Sequence, residues 1–326
     1  MRRPARALRR MRRLGVAALV GARTGVAQAR LAGSKADGRR LVVGTDGQVH
    51  KMGSLPKPKV PECPPGWTVG PPDFVIVGAE KSGTSRWLRL LRAHPDVHVA
   101  TGGREIHFWD AFHTRWPGPE DVERYHRMFP RPPGMKAGEK TPQYMSLWWA
   151  PSMLAAAAPE AAIIVMLRDP VDRYVSGRTQ HDKYRPLDGD PQALAAFRRR
   201  VVQESMHRGN YAVQLEWLRQ AYPAERILVL QHEACIVDAQ AQFDRTTDHV
   251  GLTRFTVPQE LLDEPVNAAW LEPVPIEPER RELLRDLYRP EVQRIKELVP
   301  DLDLSLWRNY ADLAVGSPAG EVAAVS

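Results

Sequence analysis

Fourteen residues constrain this chain more than any others: Phe74 to Trp87 read FVIVGAEKSGTSRW. The apolar run Phe74-Val75-Ile76-Val77 stops at Gly78, and Lys81-Ser82-Gly83-Thr84 follow as a small loop. Ser85 to Ala93 is then compatible with a helix. A strand, a phosphate-sized loop and a helix in that order belong to an α/β fold. Amide N–H groups at a helix start have no intrahelical carbonyl to bind, and the positive end of the helix dipole lies behind them. Such a loop is an anion site. Gly83 lets the backbone approach the bound group closely.

The loop is not a Walker A sequence, which ends in Gly-Lys-Ser/Thr so that lysine and hydroxyl reach the outer phosphates and magnesium. Here Lys81 precedes Gly83 and no lysine follows it. A magnesium-dependent kinase or ATPase is therefore disfavoured.

A second buried strand is expected at Ala162-Ile163-Ile164-Val165-Met166-Leu167, a continuous apolar run covered on both faces. It ends in Arg168, at the strand end where open α/β sheets bind ligands. Asp169 suits an N-cap and Pro170 the first turn of the next helix. Ser176 falls two turns into that helix. Three further segments stand out: Gly103-Arg104-Glu105-Ile106-His107-Phe108-Trp109-Asp110, then Glu139-Lys140-Thr141-Pro142-Gln143-Tyr144. The last is Gly209-Asn210-Tyr211 to Trp217-Leu218, with Tyr222-Pro223 and Arg226 to Leu230 behind it.

Together these segments resemble the sulfotransferases that use 3′-phosphoadenosine 5′-phosphosulfate (PAPS), in particular the heparan sulfate sulfotransferases and their bacterial relatives. The resemblance runs from about Asp73 to Trp307. It implies a P-loop-like parallel sheet with helices on both faces. It also implies an enzyme that moves a sulfuryl group to a hydroxyl or amine of a carbohydrate or other small-molecule acceptor, without a metal. Lys81, Ser82, Gly83, Thr84 and Ser85 would hold the 5′-phosphosulfate, and Arg168 with Ser176 the 3′-phosphate. A guanidinium fork grips phosphate bidentately and a hydroxyl adds a neutral donor. Lys81 would meet charge building on the leaving oxygen.

The resemblance makes Glu105 the general base, a role that suits a carboxylate whose pKa burial raises towards neutral. His107 would share or orient the proton transfer, or pack against Phe108 as a core residue. Lys140 would approach the sulfuryl group or an anionic acceptor, or form a salt bridge to Glu139 or another acid. Arg168 could instead pair with Asp172. Arg104 stands where the family has lysine. Arg86 stands where cytosolic relatives stack adenine on tryptophan, so Trp87, one position on, is expected in the core. Arg178, Gln180 and His181 are weak candidates for the acceptor cleft. Asn267 to Trp270 occupy the place of the family's cofactor-closing loop without its Gly/Lys-rich form. The rival readings are a nucleotide-dependent kinase, opposed by the missing Walker lysine, and a nucleotide-binding module without turnover, opposed by Lys81 and Glu105 together.

The chain has 326 residues and a formal charge of +7. Residues 1–50 hold 12 Lys/Arg against Asp37 and Asp46, a balance of +10, which leaves the remainder at −3. The basicity sits in the extension, so nucleic-acid binding by the body loses its main support. Within the extension the apolar stretch Leu14 to Ala22 is nine residues long and stops at Arg23, short of the roughly 20 that span a bilayer. An unstructured basic tail, with weak contact to a membrane surface, is one reading; a secretory signal is the other. PAPS is a cytoplasmic metabolite in bacteria, so the resemblance favours the cytoplasm. Two cysteines, Cys63 and Cys235, exclude a disulfide framework or a cysteine-rich zinc site. Residues 51–72 carry seven prolines and read as a linker. The catalytic domain is then expected over 73–310 and a flexible tail over 311–326.

Strands are expected at 73–77, 162–167 and 226–231, with a weaker one at 136–139. Helices are expected at 84–93, 119–129, 150–158, 170–184, 191–207, 210–222, 238–250 and 278–298. Alternating strands and helices imply a parallel sheet.

Overall fold

The structure is a computed structural model, and it describes residues 41–43, 49–51, 58–182, 191–263 and 275–314. The chain divides into two compact units, 1–57 and 58–326. In the first, β1 (Leu41–Val43) pairs antiparallel with β2 (Val49–Lys51), Val42 opposite His50. A hairpin therefore lies within the stretch expected to be unstructured.

The second unit is a five-stranded, all-parallel sheet. Its strands are β3 (Phe74–Gly78), β4 (Val97–His98), β5 (Lys136–Lys140), β6 (Ala162–Leu167) and β7 (Ile227–Gln231), in spatial order β4-β5-β3-β6-β7. β3 is central, and the chain passes from β5 on one side of it to β6 on the other. That crossing is a topological switch point, and the crevice beyond the strand ends there is the usual ligand site of such sheets.

Ten helices are described: α1 (Thr84–Ala93), α2 (Pro119–His126), α3 (Ala150–Ala157), α4 (Pro170–Asp182), α5 (Pro191–His207), α6 (Tyr211–Ala221), α7 (His232–Val237), α8 (Ala239–Val250), α9 (Gln259–Asp263) and α10 (Pro278–Leu298). The two-residue period of the strands sorts the core into two layers. Phe74, Ile76, Ile164 and Met166 face α1 and α8, where Trp87, Leu91 and Phe243 are buried. Val75, Val77, Ile163 and Val165 face α3, α6 and α10, against Leu154, Leu215 and Tyr288. The expected sheet covered on both faces is what the chain forms.

β5 carries no apolar run; its sequence is KAGEK. It pairs because its neighbours fill what it lacks. A Cβ on Gly138 would come within 2.5 Å of the Phe74 carbonyl oxygen, so only glycine lets β5 lie this close to β3. Trp87 is fully buried, donates its indole N–H to Thr246 Oγ1 at 3.0 Å and packs edge-on to Phe243, the core placement expected for it.

The proline-rich segment from Pro58 to Pro72 belongs to the second unit. Thr68 and Arg131 exchange backbone hydrogen bonds, Trp67 packs edge-on to His98, and Arg124 donates to the Pro58 carbonyl. The expected domain start at 73 therefore moves upstream. Among the described residues no helix is long and apolar enough to cross a membrane. Residues 1–40, 52–57, the 267–270 loop and the tail from 315 lie outside the described residues.

Candidate active site

Gly83 is the N-cap of α1, and its φ of 90° is in the left-handed region. Glycine adopts that region freely, and it has no side chain to cap the first amides. The N–H groups of Gly83, Thr84 and Ser85 thus open the helix towards the strand ends. Ser82 differs from the expectation: its amide closes a turn onto the Ala79 carbonyl at 3.2 Å and its side chain is fully buried. Ser82 builds the loop, and the helix start without a side-chain cap follows at Gly83. Lys81 has a φ of 69°, an uncommon conformation for a side-chain-bearing residue.

Arg168 follows β6 directly, and its Nη1 donates to the Lys81 carbonyl at 3.1 Å. The guanidinium is thereby set beside the loop. Asp169 caps α4 as expected, accepting from the amides of Val171 and Asp172 at 3.0 and 3.3 Å. Its other oxygen accepts from the amide and side chain of Asn309 at 3.0 and 2.8 Å. Asp172 pairs with Arg308 and Arg281, so it is not the partner of Arg168. Ser176 sits half-buried in the second turn of α4.

The second half of the site hangs from β5. Lys140 is almost fully buried, and its Nζ donates to Glu105 Oε1 at 2.8 Å and to Ser85 Oγ at 2.9 Å. Of the expected salt-bridge partners, Glu139 lies on the opposite face of the strand, and another acid, Glu105, takes the pair. Glu105 Oε2 meets His107 Nε2 at 3.1 Å, and His107 Nδ1 meets Asp110 Oδ2 at 2.9 Å. One chain of contacts therefore runs Ser85–Lys140–Glu105–His107–Asp110. The His107 side chain is 44% exposed, which removes the core-packing alternative. Ser85 joins this chain to the helix start, so the two halves are one site.

The electrostatics correct one expectation. Burial alone would raise the Glu105 carboxyl, but the His107 hydrogen bond and the Lys140 ammonium outweigh it and hold the group at about 2. His107 moves the other way: burial opposes its charge, yet hydrogen bonds to Asp110 and Glu105 push it up to about 10. Glu105 is ionised and His107 is a cation at neutral pH, the reverse of a carboxyl tuned upward by burial.

Two residues were not legible as site residues in the sequence. Asp110 lies three positions after His107, a spacing that could have suggested it. His232 opens α7 after β7, and its Nδ1 stands 2.7 Å from where a Cβ on Gly83 would be. Burial, then the Arg168 and Arg86 guanidinium groups, lower its pKa to about 4, so a neutral imidazole backs the loop. No local pattern marks it. Arg86 donates to the carbonyls of Cys235 and Leu262 and ties α1 to α7 and α9. Arg178 is half-buried on α4; the side chains of Gln180 and His181 lie outside the described residues.

Residues 71–269, more than half of the chain, match the family described as the sulfotransferase domain. The human heparan sulfate glucosamine 3-O-sulfotransferase 3B1 is 33% identical over 191 residues, which are 56% of this chain and 47% of that protein. The human bifunctional heparan sulfate N-deacetylase/N-sulfotransferase 1 is 28% identical over 203 residues, covering 56% of this chain and 22% of that one. The chain spans about half the length, or less, of these curated relatives. The crystal structure of a sulfotransferase from Alicyclobacillus acidocaldarius superimposes with a TM-score of 0.59 and 26% identity, over 74% of this chain and all of that one.

Proposed function

This chain belongs to the sulfotransferase domain family, and on that premise we propose that it transfers a sulfuryl group from PAPS to a hydroxyl or amine of a carbohydrate or glycosylated acceptor, releasing PAP. The observation that carries the reading is the junction at Ser85. An uncapped helix start with Arg168 beside it meets a Lys140–Glu105–His107 chain there, buried at Lys140 and open at Glu105 and His107. The first fits a bisphosphorylated nucleotide, and the second fits proton removal from an acceptor.

The fit rests on chemistry already in place. The Gly83, Thr84 and Ser85 amides suit the 5′-phosphate, and Arg168 with Ser176 suits the 3′-phosphate. When bound, PAPS supplies a sulfuryl group activated by its bond to a phosphate leaving group. Lys81 and Lys140 provide the positive charge for the leaving and transferring oxygens, the part magnesium plays in kinases. Glu105 accepts the acceptor's proton.

A carboxylate held at about 2 is a poor base, and the geometry supplies a remedy. Lys140 is shared between Glu105 and Ser85. A donor anion that draws its Nζ away removes one of the two contacts that depress Glu105, so the base strengthens when the donor is present. His107, held by Asp110, keeps the carboxylate aimed. The family relatives named for heparan sulfate support a sugar acceptor.

Calorimetric binding of PAP, with ATP as competitor and with and without magnesium, tests the nucleotide half. Tight PAP binding that ignores ATP and magnesium is expected; preference for ATP with magnesium would overturn the reading in favour of a kinase. Glu105→Gln tests the other half. It should retain PAP binding and lose turnover of labelled PAPS on a carbohydrate acceptor panel by about 100-fold or more.

A further inference from the structure

The face of β5 opposite Lys140 holds a second polar group with no place in the chemistry above. Glu139 is fully buried, where an ionisable carboxyl is costly unless its lone pairs are matched. They are matched by two hydroxyls: Tyr125 donates to Oε1 at 2.6 Å and Thr141 to Oε2 at 2.7 Å. A threonine hydroxyl has one proton and two lone pairs. Because that proton goes to Glu139, the lone pairs must face elsewhere, and they accept from the amides of Ile106 and His107 at 3.2 and 3.4 Å. The next amide, Phe108, donates to the Tyr144 hydroxyl at 2.9 Å. Three successive amides of the Glu105–His107 turn are thus anchored by two side chains of one segment, Thr141 and Tyr144.

That turn needs anchoring. His107 has a φ of 51°, in the left-handed region that a non-glycine residue enters only against a steric penalty. Such a conformation persists only where the surroundings impose it. The Tyr125 ring adds to the hold, packing on Phe108 and Trp109 with centroids 5.1 and 4.7 Å away. Glu139 therefore reaches the turn by two routes, through Thr141 to its backbone and through Tyr125 to the side chains that follow it.

We propose that Glu139 and Thr141 are positioning residues for the acceptor-side chemistry: Glu139 orients the Thr141 hydroxyl, and Thr141 sets the turn that brings Glu105 against His107. The proposal rests on the assignment of Glu105 and His107 above and extends it to a buried relay that touches neither substrate. Gln at 139 would put one N–H₂ where a hydroxyl now donates, so Tyr125 or Thr141 must reverse. Val at 141 keeps the shape and removes the hydroxyl.

The test reads the turn directly. The imidazole of His107 is titrated by NMR in isotope-labelled wild type, Thr141→Val, Thr141→Ser and Glu139→Gln, each checked for native dispersion and for PAP binding by calorimetry. In Thr141→Val the His107 midpoint should fall from about 10 by at least one pH unit as its clamp between Glu105 and Asp110 loosens, with PAP affinity within about twofold. Thr141→Ser, which keeps the hydroxyl, should restore the wild-type midpoint. Glu139→Gln should shift it in the same direction; if that variant does not fold, the valine and serine pair carries the test. A His107 midpoint unchanged in folded Thr141→Val would overturn the relay, as would a shift that serine fails to correct. Loss of PAP binding in the wild type would instead sink the nucleotide reading and leave the relay standing as a fact about the turn.

Discussion

Replacing Gly83 with alanine separates two physical demands on one residue. The first is conformational: at φ 90° an L-residue sits in the left-handed region, a penalty of about 1–2 kcal/mol. The second is spatial. The new Cβ would lie 2.7 Å from His232 Nδ1 and 3.2 Å from Cε1, while Met166 Cε at 3.6 Å is an ordinary contact. The imidazole is buried, with the positive charges of Arg168 and Arg86 near enough to lower its pKa, so it yields less readily than the exposed end of a flexible chain. Overpacking of that kind costs about 1–3 kcal/mol. Gly83→Ala should therefore destabilise by about 2–5 kcal/mol, measured as the shift in urea midpoint at constant slope. His232→Ala removes the obstacle but not the strained backbone. In a double-mutant cycle the coupling should equal the spatial part, about 1–3 kcal/mol, and Gly83→Ala made on His232→Ala should retain only the conformational 1–2. A Gly83→Ala protein within about 0.5 kcal/mol of wild type would refute both parts; a full-sized loss with no coupling to His232 would refute the steric part alone.

Three further outcomes are expected. Arg168→Ala should weaken PAP by about 2–3 kcal/mol, the worth of a charge-assisted phosphate contact, and leave adenosine 5′-phosphosulfate unaffected. Equal losses on the two ligands, read by calorimetry, would move Arg168 off the 3′-phosphate. The folded protein raises His107 to about 10 from 6.5, so its contribution to stability is fully present below 6.5 and is lost as pH rises through about 10. The gap in melting temperature between wild type and His107→Gln should thus be widest near pH 6 and shrink towards pH 10; a gap that widens with pH would reverse the sign of the argument. Asp169→Ala removes the α4 cap and strands the Asn309 donors. It should cost about 2–4 kcal/mol in urea unfolding, and a loss under about 1 kcal/mol would show that neither bond is worth its usual amount.

The sequence carried the frame of the fold because its strands are of the kind that composition betrays. β3, β6 and the core of β7 are continuous apolar runs, and their loops hold the glycine and the basic residues of the site. β4 was missed because two residues make no pattern. α7 and α9 were missed because six and five residues show little more than one turn of periodicity. The proline-rich stretch read as a linker because proline excludes helix. What fastens it to the domain is a pair of backbone bonds between Thr68 and Arg131, which no side-chain pattern announces. In the site, residue identities were legible and their electrostatics were not. The pKa of Glu105 is lowered by the hydrogen bond to His107 and then by Lys140, which reaches it from 35 positions away. Burial, the one cause the sequence suggested, is present and is outweighed. His232 shares no local motif with Gly83; only the fold makes them neighbours.

Glu139 and Lys140 are consecutive, and the strand sends one to each side of the sheet. Changes in the surrounding loops would alter the rim of this cleft and leave Lys140 and Glu139, the two supports of the Glu105–His107 turn, in place on a strand beside β3. A shift of one position in the pairing of β5 would exchange the faces of the lysine and the glutamate, losing the ammonium and the buttress together. Under the proposed function, a designer wishing to retarget the acceptor should leave Lys136–Lys140 untouched and vary what surrounds it.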